Sequence, residues 1–378
     1  MGRGEIKLVL AALAFFPRFP AWAQTPTSPE APSVQQLQEA EKGWRLAARQ
    51  NPRDAAAFAS LGLVLSREGK YDEAVPAYQK ALTLNPKLPG IDLNWGLAEF
   101  KQGHFPEAIA PLTRALAVDP ASVQARTLLG LSCYGAKRFT EASKYLEVVV
   151  QLDPANTELR KVLAQSCLLA KKYSCARDEF RQILEQSPDS ASAHVLMGEA
   201  LDGLGQTLEA VAEFEAARKT SPREPEVNFG LGYLQWKLHH LDDAKVAFGN
   251  ELALDPNHAQ ALAYLGDIEM QQENFEQALP LLQKSIEARN DIRIAYIDLG
   301  AVLMRQKRYP EALAALQRAV KLDPSQPDAH FRLGRLYQAM GQTASAEQEF
   351  AKVKELRQKA DEDIASKMPS KAPDSSPP

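Results

Sequence analysis

Cysteine, aromatic residues, surplus charge and long apolar runs are all scarce in this sequence. Its 378 residues hold 3 cysteines, too few for a disulfide framework. Aromatic residues make up only 7%. Lys and Arg together number 44 against 48 Asp and Glu, and the missing basic surplus argues against a nucleic-acid binder. No uninterrupted apolar run reaches the ~18–20 residues that span a bilayer. An apolar fraction of 45% is that of an ordinary globular protein and excludes wholesale disorder.

The N-terminus reads as an address. Arg3 and Lys7, diluted by Glu5, precede a nine-residue apolar core, Leu8 to Phe16, and Ala21-Trp22-Ala23 supplies a small-x-small cleavage pattern. Residues 1–23 are therefore expected to be a signal peptide cut after Ala23, although Arg18 sits awkwardly between core and cut. The alternative is a retained membrane anchor, but so short a core cannot cross the hydrocarbon layer, and no cysteine follows to carry a lipid. The mature chain would be exported, periplasmic or secreted, without a stable membrane span, and would carry 41 Lys and Arg against 47 Asp and Glu. Residues 24–33 hold three prolines and no large apolar group. They are expected to be a disordered leader, and 366–378 a disordered tail.

What the sequence does have is a period. Prolines fall at 52, 86, 120, 154, 188, 222, 256 and 324, all in steps of 34 except where Asn290 takes the missing place. Alanines keep the same step at 74, 108, 142, 176, 210, 244, 278, 312 and 346. Glycines do so at 62, 96, 130, 198, 232, 266, 300 and 334, with Ala164 standing in once. A fixed period of this length means an array of supersecondary units.

One unit can be built from its residues. In Ala55 to Pro86, Phe58, Leu61, Gly62 and Leu65 recur at helical spacing and predict a first helix. Gly69 suits a left-handed C-cap. Asp72 is placed to cap a second helix, on which Ala74, Tyr78, Ala81 and Leu82 form the apolar stripe. Pro86 ends the unit. Gly62 and Ala74 let the two helices approach, and the large residue four after each alanine fills the space beside that contact.

These columns resemble the tetratricopeptide repeat family: small at repeat position 8, alanine at 20, proline at 32, apolar at 7. The resemblance covers 55–360 as nine repeats starting at 55, 89, 123, 157, 191, 225, 259, 293 and 327. Residues 34–54 look like the second helix of a lost unit, with Ala40 and Trp44 in the alanine and aromatic columns, and 361–378 like a polar helix end and tail. The implied fold is all-α: a right-handed α-solenoid superhelix of antiparallel helix pairs whose first helices line a concave face. Departures are Glu99, Gln235 and Glu269 at position 11 and Glu251 at position 27, where looser packing or open helix ends are expected. Pro111 inside a second helix should kink it.

No catalytic or metal-binding constellation can be assembled. There is no His-Glu-x-x-His or Cys-x-x-Cys run. His239-His240 with Asp242-Asp243 reads as an exposed turn capping the next helix, or as a weak metal site. Gly230-Leu231-Gly232 lacks the strand that a phosphate loop needs. No cofactor is implied, and the chain is not expected to be an enzyme. Cys133 and Cys167 share a column in neighbouring repeats, too far apart to bond. Cys167 and Cys175 face each other across one turn, where they are either a bridge of an oxidising compartment or two buried thiols.

A partner would sit on the concave face. Its candidate residues are Phe229, Tyr233, Trp236, Lys237, Tyr264, Met270, Ile297, Met304 and Arg305, centred on Trp236, with helix–helix packing as the competing role for the same positions. Lys237 and Arg305 would favour acidic or C-terminal groups. A second stripe, Leu93, Leu97, Phe100, Leu131 and Tyr134, ranks behind it. The carboxylate clamp of chaperone-binding relatives is not matched: Asn94 fits, but Ala59, Leu63, Gln124 and Leu128 do not. Nor is the asparagine ladder at position 6, a column that reads Ser60, Asn94, Leu128, Val162, Leu196, Gly230, Tyr264, Asp298, Arg332. The resemblance implies a scaffold for a protein or peptide, of a kind that serves envelope assembly, secretion or polysaccharide export. A self-associating structural solenoid and a glycan binder are the alternatives.

Overall fold

The computed structural model describes residues 32–224 and 226–367; the expected signal peptide, most of the expected leader and the end of the expected tail lie outside them. The described residues form nineteen α-helices and no strand, and none of these helices is long and apolar enough to cross a membrane. Two compact units divide after Gln206.

The first unit contains α1 (Val34–Gln50), α2 (Ala55–Arg67), α3 (Tyr71–Leu84), α4 (Ile91–Lys101), α5 (Phe105–Val118), α6 (Val123–Gly135), α7 (Phe139–Leu152), α8 (Thr157–Leu169), α9 (Tyr173–Gln186) and α10 (Ala191–Gly203). The second contains α11 (Thr207–Thr220), α12 (Val227–Lys237), α13 (Leu241–Leu254), α14 (Ala259–Gln271), α15 (Phe275–Ala288), α16 (Arg293–Arg305), α17 (Tyr309–Leu322), α18 (Pro327–Ala339) and α19 (Thr343–Lys367). Each unit is an α-solenoid of helix pairs. Within each unit, helices pack on their chain neighbours, and first helices also pack on the first helices of adjacent repeats.

The helix pairs close where the small column demands it. A Cβ built on Gly62 would stand 2.7 Å from the Tyr78 ring, and one on Gly266 2.7 Å from Leu282. The turn between paired helices is a Schellman closure: in the first repeat Gly69 N–H donates to Ser66 O and Lys70 N–H to Leu65 O. Gly69 takes φ +76°, as expected, and Gly103, Gly205 and Gly341 share the column. The same left-handed position is filled by Lys137, Lys171, His239, Glu273 and Lys307, with φ between 58° and 61°.

Several local readings are corrected. Asp72 does not cap α3: Lys70 is the N-cap and makes no side-chain capping bond, while Asp72 lies in the first turn, where its charge suits the helix N-terminus. In the repeats from residue 55 onward, side-chain caps are found on first helices, from Asp54, Ser122, Asn156, Ser190 and His258. Ser33, placed in the leader by its neighbours' composition, instead opens α1 through a capping box with Gln36. At the other end α19 continues through Lys367, past the expected start of the tail.

Nor are the acidic departures open to solvent. Glu99 is 6% exposed and accepts from Trp95 Nε1 at 3.0 Å, with His104 Nδ1 at 3.1 Å. Glu269 accepts from Asn274 and pairs with Lys245, and Glu251 accepts from the Phe229 backbone N–H. A buried carboxylate is tolerated when it is bonded in this way. α5 runs unbroken through Pro111, as α3 does through Pro76 and α15 through Pro280.

Cys167 and Cys175 are bonded to each other, with Cα atoms 5.8 Å apart, and join α8 to α9. Cys133 is a free buried thiol, pushed up to about 11 chiefly by burial. Position 4 carries a bond that the columns did not reveal. Arg126, Arg160, His194 and Asn228 each reach the carbonyl six residues back, of Pro120, Pro154, Pro188 and Pro222.

Candidate binding groove

The second unit presents α12, α14, α16 and α18 side by side, since each first helix packs on the next. Residues three and four apart on one helix share a face, so Phe229, Tyr233 and Trp236 rise along α12. The structure brings them together with Tyr264 of α14. The Trp236 and Tyr264 rings meet edge to face at 4.8 Å, Tyr233 and Tyr264 at 5.5 Å, and Tyr233 and Trp236 stack at 6.0 Å. Phe229 lies 5.0 Å from the His258 ring and 6.0 Å from Phe248. All four of the grouped rings are half-buried, so they serve packing and surface at once. Burial pushes the Tyr264 hydroxyl up to about 12, leaving it a neutral donor. Trp236 is fixed by its Nε1–H, which donates to Asp267 Oδ2 at 2.6 Å.

Two hollows flank this cluster. One, of about 590 Å³, is lined by Met270, Met304, Arg305, Phe275, Ala301 and Phe331 together with Asp267, Asp298, Arg332 and Arg335. The other, of about 560 Å³, is lined by Trp236, Tyr264, Ile297, Asp267, Asp298 and Arg332 among others. Met270 and Met304 are half-buried and Phe331 is 45% exposed, giving an open apolar wall. Arg305 is exposed, stands 4.7 Å over the Phe275 ring and lies 3.8 Å from Glu273.

Two expected residues take other places. Ile297 is only 5% exposed and packs with Ala319 and Ala329, so at this position helix packing is the main role. Lys237 is exposed and lines neither hollow.

The sequence reading missed the carboxyl pair at the centre. Asp267 Oδ2 takes Trp236 Nε1–H and, at 2.7 Å, Gln271 Nε2–H. Asp298 is 2% exposed, and its Oδ2 has no hydrogen-bond partner. Burial first, and then Asp267 beside it, push the Asp298 carboxyl well above the usual carboxylate range. The available signal was a charged residue in a column held in other repeats by Leu128, Val162 and Leu196. No group of three or more His, Cys, Asp or Glu among the described residues could hold a metal ion.

Comparisons with known proteins place this architecture. Tetratricopeptide repeat profiles match residues 55–88, 93–157, 134–200, 195–244, 229–291 and 327–359, and a TPR repeat profile matches 300–341. The chain belongs to the tetratricopeptide repeat family. No curated protein matches the sequence significantly. Among solved structures, the APC/C hetero-tetramer Cut9–Hcn1 is similar in fold, with TM-score 0.53 at 14% identity over 83% of this chain and 78% of that one. MamA from residue 41 onward of Desulfovibrio magneticus RS-1 matches at 25% identity and TM-score 0.39, over 45% of this chain and 96% of that one. YrrB, a TPR protein with an unusual peptide-binding site, matches at 20% identity and TM-score 0.38, over 47% of this chain and 91% of that one.

Proposed function

We propose that this protein is an exported scaffold that holds a protein or peptide segment against the first helices of repeats six to nine, in the service of the cell envelope. The observation that carries the reading is the half-open ring cluster of Phe229, Tyr233, Trp236 and Tyr264 beside two hollows. Aromatic side chains dominate interface energetics when a partner covers them, and a contiguous apolar patch rimmed by charge is a common docking surface. The rings turn edges and faces to one another, which favours a partner that packs over the cluster above a sugar that needs one free ring face. The signal pattern of residues 1–23 and the bond between Cys167 and Cys175 both support an oxidising, extracytoplasmic compartment.

The test is selection of a random peptide library against the full chain, with Trp236→Ala as the counter-screen. Binders lost in the variant, with circular dichroism unchanged, are the expected result. A variant that keeps the binders and melts lower would assign Trp236 to packing. For export, residues 1–23 fused to a phosphatase active only outside the cytoplasm should give activity; an inactive fusion would remove that part of the reading.

A further inference from the structure

Asp298 and Arg332 are the two charged residues of their column. That column holds leucine, valine or glycine in four other repeats. The Asp298 carboxyl is buried, Oδ2 lacks a donor, and Arg332 Nη2 lies 3.6 Å from Oδ1, outside hydrogen-bond reach. Beyond that long ion pair, burying a carboxyl with one oxygen left without a donor costs stability. Yet Asp298 lines both hollows, as does Asp267, so two carboxyls meet in the middle of the groove.

We propose that Asp267 and Asp298 form a pocket for a basic side chain, arginine or lysine, of the segment held in the groove. This rests on the groove reading above. An incoming guanidinium supplies donors to the oxygen that has none and favours the ionised form of both adjacent carboxyls; its planar fork suits carboxylates. The walls match the rest of such a side chain, since Met270, Met304 and Phe331 offer apolar surface to an aliphatic stem. The rim cations do not reverse the preference. Arg305 is occupied by Phe275 and Glu273, and Arg332 already faces Asp298. An acidic ligand would meet two carboxyls at the centre; Arg335 lines one hollow at its wall, and Arg289 and Arg293, which line the other, are paired with Asp291 and Asp328. The groove would then select charge opposite in sign to that expected from Lys237 and Arg305.

The same peptide library tests this on the full chain. Sequences that depend on Trp236 should be enriched in arginine or lysine. Asp298→Asn should abolish that enrichment and weaken a selected basic peptide about tenfold, roughly 1.4 kcal/mol, while raising the melting midpoint. Arg335→Ala should leave the enrichment in place. Trp236-dependent binders without basic preference would overturn the pocket and leave the groove standing. Acidic enrichment that vanishes in Arg335→Ala would overturn it as well. The absence of any Trp236-dependent binder would remove both readings. A lower melting midpoint in both Asp298→Asn and Asp298→Leu would make Asp298 a structural residue and overturn the pocket.

Discussion

Two stripes on first helices are covered to different degrees, with Leu93 and Leu97 at the half-buried end of the first. In repeats two and three, Phe100 and Leu131 are each 1% exposed and Tyr134 6%. In repeats six and seven, Tyr233, Trp236 and Tyr264 stay half-open. The next helix contributes to the difference. Phe105 opens α5 and meets Phe100 at 5.6 Å; Phe139 opens α7 and meets Tyr134 at 5.7 Å. The equivalent residue of repeat six is Leu241, partly buried on the same core of Ala244, Phe248, Ala261 and Ile268 that the rings pack against. A smaller lid over a larger ring leaves surface at Trp236; in repeat seven, where Phe275 opens the second helix, Met270 is half-buried all the same, so the lid is one contributor to openness.

The comparison can be broken by exchanging roles. Phe100→Ala should cost about 3–5 kcal/mol of stability, the range for a buried Phe truncated in a core, measured by chemical denaturation. Trp236→Ala should cost stability less and weaken a selected groove peptide by about 2 kcal/mol, roughly thirtyfold. Equal stability losses would erase the distinction. Gly96→Leu and Gly266→Leu probe what the two stripes share. Both put side-chain atoms into the leucine of the facing helix, and each should destabilise by about 1–3 kcal/mol or more; unchanged melting of either would place the small column wrongly. Leu241→Phe should supply the missing lid and lower quenching of Trp236 fluorescence by acrylamide. Quenching as strong as in the parent would show that the lid does not contribute to exposure.

The two units also part company over acid. The Lys70 and then the Arg45 hydrogen bonds pull Glu41 down to about 2, whereas burial raises Asp298. Glu41 therefore contributes stability that is present above the ordinary glutamate value of about 4.3 and is lost as pH falls toward its folded value. Asp298 runs the other way: stability falls as pH rises from about 3.9 through its raised folded value. Glu41→Gln should flatten the acid limb of melting against pH, and Asp298→Asn the limb above it. The smallest expected effect is at the turns. Lys171→Gly and Glu273→Gly should each raise stability by at most about 1 kcal/mol, because a left-handed residue with a Cβ is strained.

The fold was legible because several columns repeat together: a small residue, an alanine and a proline at one spacing admit few architectures. The ring cluster was legible from the spacing of Phe229, Tyr233 and Trp236, since helical periodicity alone puts them on one face. Ile297 is mostly buried yet lines one hollow, because the same periodicity serves a groove wall and the seam between neighbouring helices. The left-handed column was visible only where glycine marked it, and Lys137 or His239 hides an identical turn. Glu99 and Glu251 were misread because burial with bonding partners leaves no signature in a column. Asp298 was passed over for the converse reason, since its oddity lies in what surrounds it.

The bridge between Cys167 and Cys175 has a mechanical consequence. Pulled from its two ends, a repeat array lengthens as each helix pair is drawn out into extended chain, at up to about 3.3–3.6 Å per residue. In the fourth repeat the bridge short-circuits the residues between its two cysteines, a sequence separation of 8. That repeat would pay out less chain than its neighbours until a reductant is added, and a force–extension trace would reveal the redox state of the protein as one short step among longer ones.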